Sequence, residues 1–428
     1  MKIKILNFGM LMLLLLSGTV STAYALTNST GGINPQDAEI WIDKGLFLHG
    51  LGKYQEAIVA YDKAIEINPQ HVIAWNNKGV ALRDMGRNED AIIALDKAIE
   101  LNPRYAYAWN NKGAALNNLS RYEEAIITYD KAIEINPQYA NAWYNKGVAL
   151  NNLGRSEDAI IALDKALEID PQHADAWNNK GVVLNGLGRS EDAIIALDKA
   201  LEINPRYAYA WNNKGVALNN LGRYQEAIIA LDKAIEINPQ YADAWNNKGC
   251  SLNGMGRYQE AIIALDKALE INLQRADAWY NKGNALRDIG RYEEALVAYD
   301  KAIKLKPQYA DAWNNKGVIL DNLGRYGEAI VAYDKAIEID PKHAEAWFNK
   351  GIVLNKLGRT EEALAFFNKA IEINPKKIEA WINKVNALQN LERQDREIRI
   401  DVYVEPRTGQ IISQTLRQHT QPQQSCGA

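Results

Sequence analysis

An all-α fold made of repeated helical hairpins is predicted for this chain of 428 residues. The first observation is that its eleven tryptophans recur every 34 residues (75 − 41 = 34), and none lies outside the series. They are Trp41, Trp75, Trp109, Trp143, Trp177, Trp211, Trp245, Trp279, Trp313, Trp347 and Trp381. A fixed period of this size is typical of a solenoid of stacked repeats, not of one globular core.

The second observation is that each period contains two apolar patterns of helical spacing, as residues 208–241 illustrate. The first pattern comprises Trp211, Gly215, Leu218 and Leu221, which fall on one face of a helix. Gly222 then suits a helix C-cap. The second pattern comprises Ala227, Ile228, Leu231, Ala234 and Ile235. Pro239 closes the unit, because the residue before a proline avoids the helical region.

Two short helices cannot bury enough apolar surface alone, so each hairpin is expected to pack on its neighbours. Ten full repeats occupy residues 38–377. Residues 378–396 form a partial eleventh copy, with Val385 in place of the usual glycine. Its polar residues predict the capping helix that the end of a solenoid requires.

The repeat resembles the tetratricopeptide repeat (TPR) family. The matching positions in one copy are Trp211, Gly215, Leu218, Gly222, Tyr224, Ala227, Leu231, Ala234 and Pro239. Lys214 departs from the leucine of the family, and lysine stands there in all eleven copies. Leu273 replaces one closing proline, which predicts either a softer joint or simple sequence drift. The resemblance implies a right-handed superhelical solenoid that binds proteins, with the first helix of each pair lining a concave groove.

The N-terminal residues 1–25 are predicted to be a secretory signal. Lys2 and Lys4 precede an apolar run, and Ala23-Tyr24-Ala25 fits a cleavage site. The alternative is an uncleaved membrane anchor formed by residues 5–20, although this run is short for a span. Residues 26–37 form a polar leader. The protein is therefore expected to be exported.

The net charge excludes one class of partner. The whole chain has a net charge of −4, and cleavage after residue 25 would remove two lysines and leave −6. Such a balance argues against a nucleic-acid partner and favours protein or peptide partners.

Beyond the capping helix the period changes to that of a strand. Ile398, Ile400, Val402 and Val404 alternate with polar residues, and a turn and a second apolar run follow. The pattern predicts a small β-hairpin over residues 397–416, which must pack on the last helices or on another chain. Residues 417–428 are predicted to be a disordered tail.

Catalytic and metal-binding patterns are absent from the sequence. His71, His173 and His343 stand at the last position of a repeat, where other copies have tyrosine, so they are predicted to be aromatic substitutes. Cys250 replaces a valine and Cys426 lies in the tail, which is not a disulfide framework. The sequence therefore predicts no enzyme, no cofactor and no metal site.

One column of asparagines is the candidate binding site. It is the second residue after each tryptophan, and it comprises Asn77, Asn111, Asn145, Asn179, Asn213, Asn247, Asn281, Asn315, Asn349 and Asn383. A carboxamide donates and accepts hydrogen bonds, so it can pair with a peptide backbone of any sequence. The column is similar to the asparagine ladder in the TPR domain of O-linked N-acetylglucosamine transferase. The alternative is that the asparagines only form a soluble lining.

These observations predict a non-enzymatic TPR scaffold that holds extended peptide segments on an asparagine-lined groove outside the cytoplasm. A clamp for a peptide C-terminal carboxylate needs lysine directly after the tryptophan, where Asn212 and Asn246 stand, so that ligand is excluded. The rival hypothesis is a structural spacer or assembly factor of the cell envelope, acting through its outer surface and C-terminal segment. The sequence does not identify the partner, because near-identical copies encode little specificity.

Overall fold

The computed structural model describes residues 36–404, and every regular element in this range is an α-helix, which confirms the all-α prediction. The first helices of the hairpins, called A helices below, are α1 (Gln36–Gly50), α3 (Val72–Asp84), α5 (Ala106–Asn118), α7 (Ala140–Asn152), α9 (Ala174–Gly186), α11 (Ala208–Asn220), α13 (Ala242–Gly254), α15 (Ala276–Asp288), α17 (Ala310–Asn322), α19 (Ala344–Lys356) and α21 (Ile378–Val404). The second helices, called B helices, are α2 (Tyr54–Ile67), α4 (Asn88–Leu101), α6 (Tyr122–Ile135), α8 (Ser156–Ile169), α10 (Ser190–Ile203), α12 (Tyr224–Ile237), α14 (Tyr258–Ile271), α16 (Tyr292–Leu305), α18 (Tyr326–Ile339) and α20 (Thr360–Ile373).

The helices fall into two compact units, and the division between them lies between Arg189 and Ser190 in the sequence. The first unit contains α1 to α9 and the second contains α10 to α21. Within each unit, consecutive helices pack on each other, as the repeat pattern predicts.

The last helix, α21, is longer than the sequence predicts. It continues to Val404, so the strand expected at Ile398–Val404 is wrong: this segment is helical. No glycine or proline occurs between the start of α21 and Pro406, and the polar residues between Leu391 and Ile398 are good helix formers. Local helix propensity therefore wins over a short apolar alternation. The predicted return strand and tail, and the predicted signal and leader up to residue 35, lie outside the described residues.

In nine hairpins a glycine of the A helix packs on a large residue of the B helix. A Cβ atom built on Gly215 would lie 2.5 Å from Cγ of Leu231, which is fully buried. The same close approach joins Gly45 to Tyr61 in the first copy. Val385 occupies this position in α21, where it is 47% exposed because no B helix folds back on it.

The turn between the A and B helices needs a residue with positive φ. Glycine provides it in nine copies, for example Gly222 with φ of 71°. Ser120 stands in the same turn of the third copy with φ of 59°, the one non-glycine residue with positive φ among those described. A side chain is strained in this region, whereas glycine enters it freely.

The recurrent lysine that departs from the family pattern joins the second to tenth repeats to the repeat before each of them. Lys214 Nζ lies 2.5 Å from Oδ1 of Asp198 on the preceding B helix and 5.5 Å from the ring centroid of Trp211. Trp211 Nε1 in turn donates to the carbonyl of Pro205, 3.0 Å away, in the preceding turn. The tryptophan, lysine and aspartate together form an inter-repeat clasp, and equivalent lysine–aspartate pairs recur along both units.

The copy that lacks its closing proline keeps the same geometry. Helix α14 ends at Ile271, and Asn272 is extended with φ of −142° as in the other copies. Trp279 Nε1 donates to the carbonyl of Leu273 at 3.1 Å, as tryptophans elsewhere donate to proline carbonyls. The second helix therefore does not run on where leucine replaces the closing proline.

The two kinds of helix form different surfaces of each unit. Within each unit, A helices of neighbouring repeats approach one another closely, whereas B helices of neighbouring repeats do not. The A helices therefore converge on what we call the inner surface, and the B helices diverge on the outer surface.

Replacing Ser120 by glycine should stabilise the protein by about 0.5–1 kcal/mol, because glycine relieves the strain of positive φ. Urea unfolding monitored by circular dichroism measures the change. The matched control is Gly222→Ser, which introduces the same strain elsewhere and should lower stability by a similar amount. Equal stability of Ser120→Gly and wild type would contradict this account of the turn.

Stability should also fall at alkaline pH because of the buried tyrosines of the B helices. Burial raises the pKa of Tyr61 to about 12 and raises the pKa values of Tyr129 and Tyr333 further. Their folded-state pKa values thus exceed the unfolded value of about 10, so the stability they contribute is complete below pH ~10 and is lost as pH rises through the folded-state pKa.

The variant Tyr129→Leu/Tyr333→Leu should therefore unfold at a higher alkaline pH than wild type. The chain itself uses leucine at this position, for example Leu231, so the substitution fits the hairpin. The control is Tyr107→Leu, since Tyr107 is 52% exposed. Circular dichroism during alkaline titration measures the midpoint, and an identical midpoint for the buried variant and wild type would refute the prediction.

Candidate functional site

The candidate asparagines all lie half-buried on A helices, four residues after an exposed or partly exposed position of the first turn. They are Asn77, Asn111, Asn145, Asn179, Asn213, Asn247, Asn281, Asn315, Asn349 and Asn383. Their first function in the structure is to connect repeats. Asn247 Nδ2 donates to Oδ1 of Asn212 in the preceding repeat at 2.9 Å.

Equivalent amide bridges recur in both units. Asn111 donates to Asn76 at 3.0 Å and Asn145 donates to Asn110 at 2.9 Å. In the second unit, Asn281 donates to Asn246 at 3.1 Å. Asn349 donates to Asn314, also at 3.1 Å.

The acceptors of these bridges are asparagines that directly follow a tryptophan, and they are buried. Asn76, Asn212 and Asn314 are only 5–6% exposed. Asn76 Nδ2 also donates to Oδ1 of the next residue, Asn77, at 3.0 Å. Because an unpaired buried amide is costly, the two columns stabilise each other as one hydrogen-bonded network.

A bridge forms only where the preceding repeat supplies an acceptor. Asn179 donates to the hydroxyl of Tyr144 at 2.9 Å. The residue in the acceptor position is Ile42 before Asn77 and Phe348 before Asn383, and neither can accept a hydrogen bond. Asn383 donates instead to the carbonyl of Glu379 in its own helix, at 2.9 Å.

The asparagines of the column are therefore not equivalent, because a carboxamide has only two N–H groups. Asn179 uses both, on Tyr144 and on the carbonyl of Asp175. Asn281 spends its second on Sγ of Cys250 at 3.0 Å, and Asn315 donates to Tyr280 and to Asn284. In contrast, four members donate one N–H group to the bridge and keep the second N–H group available for another acceptor. They are Asn111, Asn145, Asn247 and Asn349.

A second set of amides, one to two turns further along the A helices, binds the backbone of the next repeat. Asn253 Nδ2 donates to the carbonyl of Asn281 at 3.1 Å, and Asn219 Nδ2 donates to that of Asn247 at 3.4 Å. Ser251 Oγ adds a 2.7 Å hydrogen bond to Oδ1 of Asn219. These amides thus hold the backbone at candidate asparagines of the next repeat.

Two exposed tyrosines lie one helical turn before candidate asparagines and share their helix face. Tyr107, which is 52% exposed, precedes Asn111, and Tyr209, which is 58% exposed, precedes Asn213. The ring of Tyr107 lies 5.0 Å from that of Tyr139, centroid to centroid. Tyr209 and Tyr241 are also 5.0 Å apart. These two tyrosines were not among the predicted site residues, although the nine remaining copies have a residue other than tyrosine at this position.

Two of the three histidines at repeat ends, His173 and His343, cap the helix that follows them, whereas the His71 side chain makes no capping hydrogen bond. His343 Nδ1 accepts from the backbone N–H of Ala346 at 3.2 Å, while Nε2 lies 3.1 Å from Asp311 of the preceding repeat. His173 caps its helix in the same way and also packs against Tyr144 at 4.7 Å. His71 Nε2 lies 3.0 Å from Glu39. In residues 36–404 no three histidine, cysteine or acidic side chains are placed to hold a metal ion.

Cys250 lies on the A helix α13 in a largely shielded position. Burial raises the pKa of its thiol to about 11, so the thiol stays protonated at neutral pH.

Within the described helices, none is both long and apolar enough to cross a membrane.

Stacked helical hairpins joined by clasps and amide bridges define a helical repeat protein. Family models described as "Tetratricopeptide repeat" match residues 38–71, 140–173, 174–207, 208–241 and 344–377, and, in longer segments, 76–140, 246–310 and 280–343. These matches cover most of the chain, which therefore belongs to the tetratricopeptide repeat family.

Solved structures are similar in fold. The anaphase-promoting complex hetero-tetramer Cut9–Hcn1 has a TM-score of 0.52 at 16% identity, covering 84% of this chain and 77% of that one. YrrB, described as a TPR protein with an unusual peptide-binding site, is 29% identical over 44% of this chain and 97% of its own, with a TM-score of 0.37. Yeast Tom70 is 15% identical, with a TM-score of 0.45 and coverage of 89% and 99%. No curated protein sequence matches the chain significantly.

Proposed function

We propose that the protein is a non-enzymatic scaffold that binds extended peptide segments of its partners on the inner surface of its repeats. The observation that carries the proposal is the spare hydrogen-bonding capacity of Asn111, Asn145, Asn247 and Asn349. Each bridge already fixes the carboxamide, so a peptide carbonyl would meet a donor whose rotamer is set before binding. Preorganisation of this kind reduces the entropy cost of association.

Several weak contacts in a row fit a segment of chain better than a compact ligand. Each amide contributes only about 0.5–1.5 kcal/mol net, so useful affinity needs several repeats to act on one peptide. Tyr107 and Tyr209 add apolar surface beside Asn111 and Asn213, and tyrosine provides contact area at low conformational entropy cost. These two positions are the proposed source of side-chain preference on an otherwise uniform surface.

The four spare donors can be tested with two matched sets of substitutions. One variant carries alanine at the half-buried donors Asn111, Asn145, Asn247 and Asn349. The other carries alanine at the buried acceptors Asn76, Asn110, Asn212 and Asn314, and thus breaks the same four bridges without removing the donors. Both should lose stability, since each broken bridge leaves an amide without its partner.

Binding should distinguish the two variants. We expect the donor variant to bind peptides of mixed sequence with at least tenfold lower affinity than wild type, and the acceptor variant to lose much less affinity. Fluorescence anisotropy measures both affinities. Circular dichroism at the assay temperature confirms that both are folded. Equal affinities of the donor variant and wild type, or equal losses in both variants, would remove the peptide-binding proposal and leave the amides with a purely structural function.

We further propose that the scaffold works outside the cytoplasm, after removal of residues 1–25. The sequence supports this with its lysines, apolar run and Ala23-Tyr24-Ala25 site. Mass spectrometry of the protein from its native host should give a mature N-terminus at Leu26 in the exported fraction. An intact Met1 in a membrane fraction would favour the anchor of residues 5–20 instead.

A further inference from the structure

The turn between helices α5 and α6 has serine where the nine equivalent turns have glycine. Ser120 takes a positive φ of 59° there, a conformation that a side chain strains. It follows Asn118, the last residue of α5, and Leu119. The three residues spell Asn-Leu-Ser, which is an acceptor sequence for N-linked glycosylation because the middle residue is not proline.

The acceptor sequence depends on the one substitution that strains the turn. Asn152-Leu153-Gly154 in the next copy is identical except for the glycine, and it lacks the hydroxyl that the sequence requires. Within residues 36–404 no other asparagine has serine or threonine two positions later without an intervening proline. Since so short a motif also arises by chance, the inference depends on the surroundings of Asn118.

The carboxamide of Asn118 is accessible and chemically able to carry a sugar. Asn118 and Ser120 are both exposed. Asn118 Nδ2 donates to Oδ1 of Asn88, at the start of the preceding B helix, at 3.2 Å. A carboxamide has two N–H groups, and a glycosylated one keeps one of them. The contact with Asn88 can therefore persist when a sugar replaces the other hydrogen.

The residue that begins the preceding B helix also leaves room at this position. Six B helices begin with tyrosine. One of these is Tyr224, whose ring carbon Cζ would lie 2.6 Å from a Cβ atom built on Gly254, thirty residues later. The residue thirty positions before Asn118 is Asn88, so no aromatic ring from that position covers Asn118.

We propose that Asn118 is an N-glycosylation site, modified with an oligosaccharide from a polyprenyl phosphate or diphosphate donor. A bond forms between Nδ2 of Asn118 and C1 of the first sugar. The bond from C1 to the phosphate oxygen breaks, the lipid phosphate leaves with its electron pair, and one amide proton passes to a base. No group is oxidised or reduced. The inference rests on the proposed export of the chain, because this transfer takes place on the non-cytoplasmic side of a membrane.

The glycan would border the proposed peptide-binding surface. Asn118 lies seven residues after Asn111 and eleven after Tyr107, which is two and three turns along the same face of α5. At the rise of an α-helix, seven residues correspond to about 10 Å. The sugar would therefore stand at the end of the helix, beside one of the two copies that carry an exposed tyrosine on this surface.

Mass spectrometry of the full chain purified from its native host tests the inference. Trypsin cleaves after Lys112 and Arg121, so the site falls in the peptide of residues 113–121. We expect this peptide to carry an oligosaccharide in most exported molecules, and fragmentation should place it on Asn118 and not on Asn117. The other acceptor sequence, Asn28-Ser29-Thr30, lies outside the described residues and falls in a different peptide.

Two variants remove the acceptor sequence in different ways. Asn118→Gln and Ser120→Gly should each abolish the addition to residues 113–121. Ser120→Gly restores the residue of the nine equivalent turns and should fold at least as well as wild type, so misfolding would not explain its loss. The control is Asn152→Gln, which changes the same position of the next copy outside any acceptor sequence and should leave the addition on Asn118 in place.

The outcomes separate this inference from the proposed export. An exported protein with its N-terminus at Leu26 and an unmodified peptide 113–121 would overturn the glycosylation and leave export in place. An addition that survives in Ser120→Gly would also overturn it. A modified Asn118 in a chain that retains Met1 would support glycosylation and contradict cleavage. A chain confined to the cytoplasm would remove both proposals.

Discussion

Polar contacts with the preceding copy fix the position of most copies in the stack. The tryptophan donates to a carbonyl of the preceding turn, the lysine pairs with an aspartate of the preceding B helix, and the bridging asparagine donates to the preceding A helix, as Trp211, Lys214 and Asn247 illustrate. All three contacts point toward the N-terminus, so the hairpins form a directional stack. Apolar packing alone would tolerate sliding between similar helices, whereas these hydrogen bonds require one register.

The same dependence explains how the stack can end. Asn368 stands where other copies have the aspartate of the clasp, and Val385 stands where they have the glycine that admits a B helix. Helix α21 accordingly packs on α20 and runs on to Val404 without folding back. The clasp is thus absent between the tenth and eleventh copies, and the eleventh copy lacks the glycine that would admit a second helix.

Much of this fold was predictable, because its signals are local and repeated. Glycine and proline mark where helices end, and the spacing of the apolar residues identifies the buried face. The helical state of Ile398–Val404 was not predicted, because a short alternation of isoleucine and valine with polar residues is also typical of a strand. The segment is helical because helix α21 continues through it without interruption. The function of the recurrent lysine was also invisible, since Asp198 lies sixteen residues before Lys214 and on a different helix.

The candidate site was predictable as a column but not in its chemistry. Ten identical asparagines look equivalent in sequence, yet their hydrogen bonds depend on the residue after the tryptophan of the previous copy. A tyrosine there, as at Tyr144 or Tyr280, accompanies an asparagine that uses both N–H groups, as Asn179 and Asn315 do. Pairwise hydrogen bonding across 35 residues cannot be deduced from one copy alone.

A surface made of similar repeats can bind a ligand more tightly by using more of them, but their similarity also makes the binding less specific. If the inner surface binds peptides as proposed, each amide contributes about 0.5–1.5 kcal/mol net, so a peptide must contact several repeats to bind. Selectivity would then come from the copies that differ, such as those with Tyr107 and Tyr209, and not from the asparagines that recur from copy to copy.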